Sequence, residues 1–185
     1  MRLMASLQRR ASGRTVLALF AITNIVYLLM LFYSIPSVTA QAPGMRLFDM
    51  SPLGYSHEYA EELLRNIGPE GREAYLKFQL PLDFIYPGFF ALTYSLMLVW
   101  LFKKRLDPGS RLFFLALVPS AAGFFDYMEN LGIIIMLRSY PGIQPGVVLA
   151  SSTFSLLKSV LTVLFYILLL GGFLLLFLKR KRPNF

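Results

Sequence analysis

Gly123-Phe124-Phe125-Asp126-Tyr127-Met128-Glu129-Asn130-Leu131 decides how this chain is read. The stretch lies inside Leu112–Leu137, a run apolar enough to cross a membrane, yet it carries two carboxyl groups and an amide. A charge at the centre of a bilayer costs about 2.5–3.5 kcal/mol or more unless it is paired or hydrated. On a helix Asp126, Glu129 and Asn130 share one face, because residues three and four apart are neighbours there. Other helices must therefore present polar partners to that face.

The rest of the sequence supplies those helices. Of 185 residues 56% are hydrophobic and only 15% charged, the profile of a polytopic membrane protein. The net charge of +8 is not spread over a face that could hold nucleic acid. It gathers at the ends of apolar runs, in Arg2, Arg9, Arg10 and Arg14, in Lys103-Lys104-Arg105 with Arg111, and in Lys179-Arg180-Lys181-Arg182. The absence of cysteine excludes disulfides, thiolate metal sites and thiol redox chemistry. The sole histidine, His57, excludes a two-histidine metal motif and reads as a surface residue. No metal site and no cofactor are expected.

Four spans follow from the apolar runs, at about residues 15–35, 82–102, 112–137 and 148–178. A cleaved signal peptide is the alternative for the first, because Val38-Thr39-Ala40 has the small residues of a cleavage site. The run exceeds the usual signal core of about 7–15 residues, which favours a retained span. Pro36 to Gly54 reads as loop, and residues 55–80 as an amphipathic segment outside the spans. Within that segment Ser56 is a helix N-cap and Tyr59, Leu63 and Ile67 make an apolar stripe. Gly68-Pro69 breaks the pattern, and Ala74, Tyr75 and Phe78 make a second stripe. Glu61/Arg65 and Glu73/Lys77 have the spacing of ion pairs on the wet side. Pro81 is placed to start the second span, Pro87 to kink it beside Asp83, and Pro119 to kink the third. The fold class is thus all-α: an integral membrane four-helix bundle forming a single transmembrane domain, 1–185, with an amphipathic helical outer cap between spans one and two.

Register along the spans gives depth. Glu129 and Lys158 both fall about 12–15 Å from the outer ends of antiparallel neighbours, at 1.5 Å per residue. An ion pair of Lys158 with Glu129 or Asp126 is the simplest way to tolerate these charges. Ser151, Ser155, Lys158, Ser159, Thr162 and Tyr166 form a polar stripe on the fourth span, and Asn24 and Tyr27 could serve on the first. Asp83 lies higher, at an outer rim within reach of water, with Tyr86 on the same face. Three acids against one lysine leave an imbalance, so one of Asp126 and Glu129 is expected to hold a proton. The candidate binding residues are Asp83, Tyr86, Asp126, Glu129, Asn130, Ser155 and Lys158; no residue is assigned as catalytic, with Asp126, Glu129 and Lys158 the candidates.

The pattern of Gly54-Tyr55-Ser56, Gly68-Pro69-Glu70-Gly71-Arg72, Leu82-Asp83, Tyr86-Pro87, Asp126 to Asn130 and Leu157-Lys158 resembles a bacterial family of small four-span membrane proteins of uncharacterised function. That resemblance implies a fold and no activity. In topology the chain is also similar to the EXPERA domain of sterol isomerases and sigma-2-receptor-like proteins, and Phe78-Gln79-Leu80-Pro81 is similar to a stretch of one of them. Here the first span carries no acid and no span carries a histidine.

Three function classes remain open. The first is a non-enzymatic accessory or assembly subunit, or a binder of lipid-like molecules through an outward-opening polar pocket. The second is an intramembrane enzyme acting on a lipid or isoprenoid-like substrate with Asp126, Glu129 and Lys158. The third is a proton-coupled transporter. The same cluster has a purely structural reading, since polar contacts also fix helix register. Expected partners are membrane lipids, whose anionic headgroups suit the basic ends, and a membrane protein; nucleic acid is not expected.

The basic clusters place both termini and the 103–111 turn on the cytoplasmic side of a bacterial inner (plasma) membrane, as a multi-pass protein. Cysteines introduced at Ser6, Ser110 and Asn184 are expected to resist an impermeant thiol reagent in intact cells, while one at Ser56 reacts. Labelling of Ser110 from outside would contradict that topology.

Overall fold

The computed structural model describes residues 2–177. All regular structure among them is helical. A short N-terminal helix, α1 (Arg2–Arg10), precedes a long one, α2 (Gly13–Thr39). An irregular outer segment leads to α3 (His57–Asn66) and then to α4 (Gly68–Phe102), α5 (Arg111–Ser139) and α6 (Pro145–Phe177). The helices α2, α4, α5 and the stretch Pro145–Leu174 of α6 are long and apolar enough to cross a membrane. The Lys179–Arg182 cluster and Asn184 lie outside the described residues.

Several boundaries differ from the sequence reading, and proline explains them. The second long helix does not begin at Pro81; it runs unbroken from Gly68, so the second half of the 55–80 amphipathic segment is its first turns. Its path past Pro81 uses a widened π turn at Tyr75–Gln79, where the Leu80 N–H donates to the Tyr75 carbonyl five residues back. The first long helix likewise continues past Pro36 to Thr39, through a π turn at Met30–Ser34 closed by the Ile35 N–H on the Met30 carbonyl. In both cases the wide turn ends two residues before a proline. A proline ring crowds the carbonyl four residues back, and widening the turn relieves that clash without breaking the helix. At Pro119 the backbone changes from a 3-10 stretch, Arg111–Leu117, to α-helix, with the proline in the first turn where its missing N–H is harmless.

α3 starts as the sequence predicts, with Ser56 Oγ accepting from the Tyr59 N–H at 3.2 Å. It ends at Gly68, whose φ of +63° is the left-handed conformation that favours glycine. On the exposed side Glu73 pairs with Lys77, and His57 lies 3.3 Å from Glu61. Leu63, Ile67 and Tyr75 are fully buried; Phe78 instead faces outward, edge-on to the exposed ring of Tyr33.

The long helices pack in chain order, α2 on α4, α4 on α5 and α5 on α6. Small residues allow the close approaches. A Cβ on Gly123 would meet the Pro87 carbonyl oxygen at 2.8 Å, and one on Gly132 would meet the Ser151 side chain at 2.6 Å. Buried hydroxyls join the helices across these seams, Thr23 to Thr93 at 2.7 Å and Ser95 to Ser120 at 2.9 Å. On α2 the buried polar residues are Thr23 and Ser34; Asn24 donates to the Phe20 carbonyl of its own helix.

Two apolar cores result. The outer one gathers Leu47, Phe48, Leu63, Leu64, Tyr75 and Ile133, and the inner one Phe90, Leu98, Val99, Leu101, Phe113 and Phe165. Between them lies a polar layer of Asp83, Asp126, Glu129, Asn130 and Lys158. At the far end of the inner core α1 is tied to the turn after α4, because Lys103 Nζ donates to the carbonyls of Gln8 and Ala11, and Gln8 to that of Pro108. Much of α2 and α6 remains exposed and apolar, with Phe32 74% and Leu149 70% accessible.

The α5–α6 seam has no room for a side chain at Gly132. Gly132→Ala is expected to lower stability by about 1–3 kcal/mol through overpacking. Gly171→Ala, with nothing within 4 Å of the added carbon, is expected to be neutral or stabilising. Thermal unfolding in detergent reads both.

Candidate functional site

Lys158, on α6, is the hub of the polar layer. Its Nζ lies 3.2 Å from Asp126 Oδ1 and 2.6 Å from Glu129 Oε2, both on α5. The contact with Glu129 is the shorter of the two. The side chains are withdrawn from water: Lys158 is 16% exposed and Glu129 0%. The sequence offered either acid as the lysine's partner; the structure gives it both. Register makes this possible. Asp126 and Glu129 sit one turn apart, and Ser151 Oγ donates to the Glu129 carbonyl at 3.1 Å, fixing the height of α6 against α5.

Proline chemistry places Asp83. Pro87 has no N–H to give the Asp83 carbonyl, which would be left unpaired in the interior. Asn130 Nδ2 donates to that carbonyl at 2.8 Å, so the amide from the 126–130 stretch repairs the break in α4. The Asp83 side chain is not the wet rim group that its sequence position suggests. The residue is 3% exposed, and its Oδ2 has no hydrogen-bond partner among the described residues.

The outer segment brings in a residue the sequence reading did not single out. Asp49 lies on a single 3-10 turn, Phe48–Met50, anchored by the buried Leu47 and Phe48. Its carboxylate accepts from the Tyr75 hydroxyl and, at 2.7 Å, from Gln79 Nε2, while Ser34 Oγ donates to Gln79 Oε1 at 2.6 Å. Ser34, Tyr75 and Gln79 stand on the two π turns; Tyr75 and Gln79 reach Asp49 directly, and Ser34 holds Gln79. The Asp49 carbonyl lies 3.4 Å from Lys158 Nζ. The segment is then pinned along α6. Ser155 Oγ donates to the Ser51 carbonyl at 2.9 Å, the Tyr55 N–H to Ser152 Oγ at 2.8 Å, and the Tyr55 hydroxyl to Ser151 Oγ at 2.8 Å. Burial pushes the Tyr55 hydroxyl above the ordinary tyrosine range, which keeps it a neutral donor there. The signal for Asp49 in the sequence is an acid between Leu47-Phe48 and Met50 in an otherwise polar loop.

A cleft of about 390 Å³ opens beside the hub. Asp49, Asp83, Asp126 and Lys158 form its floor; Tyr86 and Phe90 line one wall. Tyr27 and Leu31 of α2 and Val163 and Tyr166 of α6, all exposed, flank its mouth. Of the residues singled out from sequence, Asp83, Tyr86, Asp126 and Lys158 line this space. Glu129 and Asn130 are wholly buried outside the lining, and Ser155 serves the outer segment instead. No cluster of three or more metal-ligating side chains occurs among the described residues.

Comparison with known proteins finds no matching family model, no matching curated protein and no matching solved structure. The reading of the site therefore rests on its geometry.

Removing one member of a buried ion pair leaves an uncompensated charge and costs about 3–5 kcal/mol. Lys158→Met is expected to destabilise the protein by that order, and Lys158→Met with Glu129→Gln to recover much of the loss. Thermal melts in detergent of the parent, both single variants and the double variant measure the coupling. A Lys158→Met variant as stable as the parent would contradict the assignment of Lys158 as the hub.

Proposed function

We propose that the chain is a small multi-pass membrane protein that binds a lipid-like molecule in the cleft between α2 and α6, without chemistry. One observation carries the reading. The cleft is polar at its floor, apolar along its walls, and flanked by exposed apolar residues of two helices apolar enough to face lipid. A headgroup would meet Asp49, Asp83, Asp126 and Lys158, and a chain would leave past Leu31 and Val163. Orientation with the N-terminus inside is supported by the contacts of Lys103 with α1, which gather the basic N-terminal and 103–111 regions at one end.

An acid–base enzyme on a lipid or isoprenoid-like substrate is the second reading. It is favoured by Asp126 and Lys158 both lining the cleft, where a bound molecule would touch them.

Native mass spectrometry of a mild-detergent preparation, with analysis of its organic extract, tests the binder. The parent is expected to retain a discrete lipid-like molecule. Ser159→Trp, which fills the cleft, and Val163→Trp, on its exposed lip, are expected to lose it while melting like the parent. An identical lipid complement in all three would overturn the reading. A retained molecule that is converted to a new species by the parent, and not by Asp126→Asn, would favour the enzyme.

A further inference from the structure

Between residues 1 and 20 and between 95 and 120 the chain carries eight arginines and lysines against one acid, Asp107. Three of the cations are engaged within the protein. Lys103 Nζ donates to the carbonyls of Gln8 and Ala11, Arg105 donates to that of Leu176, and Lys104 Nζ lies 4.1 Å from the centre of the Trp100 ring. Arg9 and Arg10 are exposed and belong to no ion pair among the described residues. Their backbone is nevertheless held in place. Met4 and Ala11, which flank them in sequence, are buried in the inner core, and Lys103 ties the end of α1 to the turn after α4.

Both arginines line a groove of about 510 Å³ at the corner between α1 and α2, where that corner meets α4. Ser12 and Thr15 share its polar end. Ser12 Oγ accepts from the Thr15 N–H at 3.2 Å and lies 2.9 Å from Thr15 Oγ1. The two hydroxyls therefore use one hydrogen between them and keep one to donate. The other end is apolar, lined by Leu19 of α2 and by Leu92 of α4, which is 46% exposed. Both leucines stand on helices apolar enough to cross a membrane, so the groove passes from a cationic mouth toward the zone of acyl chains. No acidic side chain lines it. Guanidinium groups hold phosphate through paired, charge-assisted hydrogen bonds.

We propose that this groove is a discrete site for one anionic phospholipid. Its phosphate is held by Arg9, Arg10 and the remaining hydroxyl hydrogen of the Ser12–Thr15 pair, and an acyl chain lies along Leu19 and Leu92. The occupant is anionic because the groove supplies no carboxylate to answer two guanidiniums. It is a lipid and not a free phosphate because leucine forms the other end. The groove shares no residue with the cleft beside Lys158, so the site stands apart from the reading of that cleft.

Native mass spectrometry and thermal melts of the full chain, delipidated in a maltoside detergent, test this with three probes: dioleoylphosphatidylglycerol, dioleoylphosphatidylcholine and glycerol phosphate. The parent is expected to take up one tight equivalent of phosphatidylglycerol, half-saturating roughly ten-fold below phosphatidylcholine, and to ignore glycerol phosphate. Arg9→Gln with Arg10→Gln is expected to abolish that preference. Lys104→Gln with Arg111→Gln removes two charges from the same end outside the groove and is expected to keep it. Leu92→Trp obstructs the apolar end with every charge intact and is expected to weaken phosphatidylglycerol binding, which decides the matter if the arginine variant fails to fold. Ser159→Trp, in the cleft, is expected to leave the tight equivalent in place. Equal loss of preference in the two double variants would mean diffuse attraction and overturn the site, as would a parent that does not distinguish the two lipids. Displacement of the lipid by an equal concentration of glycerol phosphate would overturn the lipid assignment.

Discussion

A single ammonium group holds the middle of this protein together. Lys158 brings α6 against Asp126 and Glu129 of α5, and its contact with the Asp49 carbonyl draws in the outer segment. These groups are withdrawn from water, and a buried charge left alone is costly. Their mutual proximity offsets desolvation, and it fixes the register in which Gly132 can meet Ser151. The two apolar cores on either side can pack only when that layer is assembled.

Proline shapes the same layer. Pro36, Pro81 and Pro87, inside helices, each remove a backbone donor, and the loss is answered in two ways. At Pro36 and Pro81 the preceding turn widens; Tyr75 and Gln79 on one widened turn bond Asp49, and Ser34 on the other bonds Gln79. At Pro87 the helix stays α, and the orphaned Asp83 carbonyl is taken by Asn130. The polar residues that define the cleft are thus also the partners of backbone groups that proline leaves free. A π turn inside an α-helix often marks a functional site, and here one of them supplies both side-chain donors to the Asp49 carboxylate.

Much of this was legible from the chain alone. Four long apolar runs, each about the length needed to cross a bilayer, gave the helices. Matching depths on antiparallel neighbours gave the meeting of Lys158 with the acids of α5. Other features were hidden for physical reasons. Pro81 is as good a helix start as it is a tolerated interior residue, and only the π turn before it shows which applies. Asp49 sits in a segment without periodicity, where no face can be read. Thr23 and Asn24 differ by one position, about 100° around a helix, and the fully buried one is the less conspicuous hydroxyl. Periodicity reveals which side of a helix is polar, but not that α2 and α6 leave a cleft between them.

The central claim is that one lysine is held by two carboxylates within the helical layer. Solid-state NMR on the protein in lipid bilayers tests it most directly, through distances between the Lys158 side-chain nitrogen and carboxyl carbons, assigned by loss of the signal in Lys158→Met. The account predicts contact-range couplings from that nitrogen to one glutamate and one aspartate carboxyl, in line with the 2.6 and 3.2 Å nitrogen–oxygen separations. A Lys158 nitrogen coupled to no carboxyl carbon would contradict it.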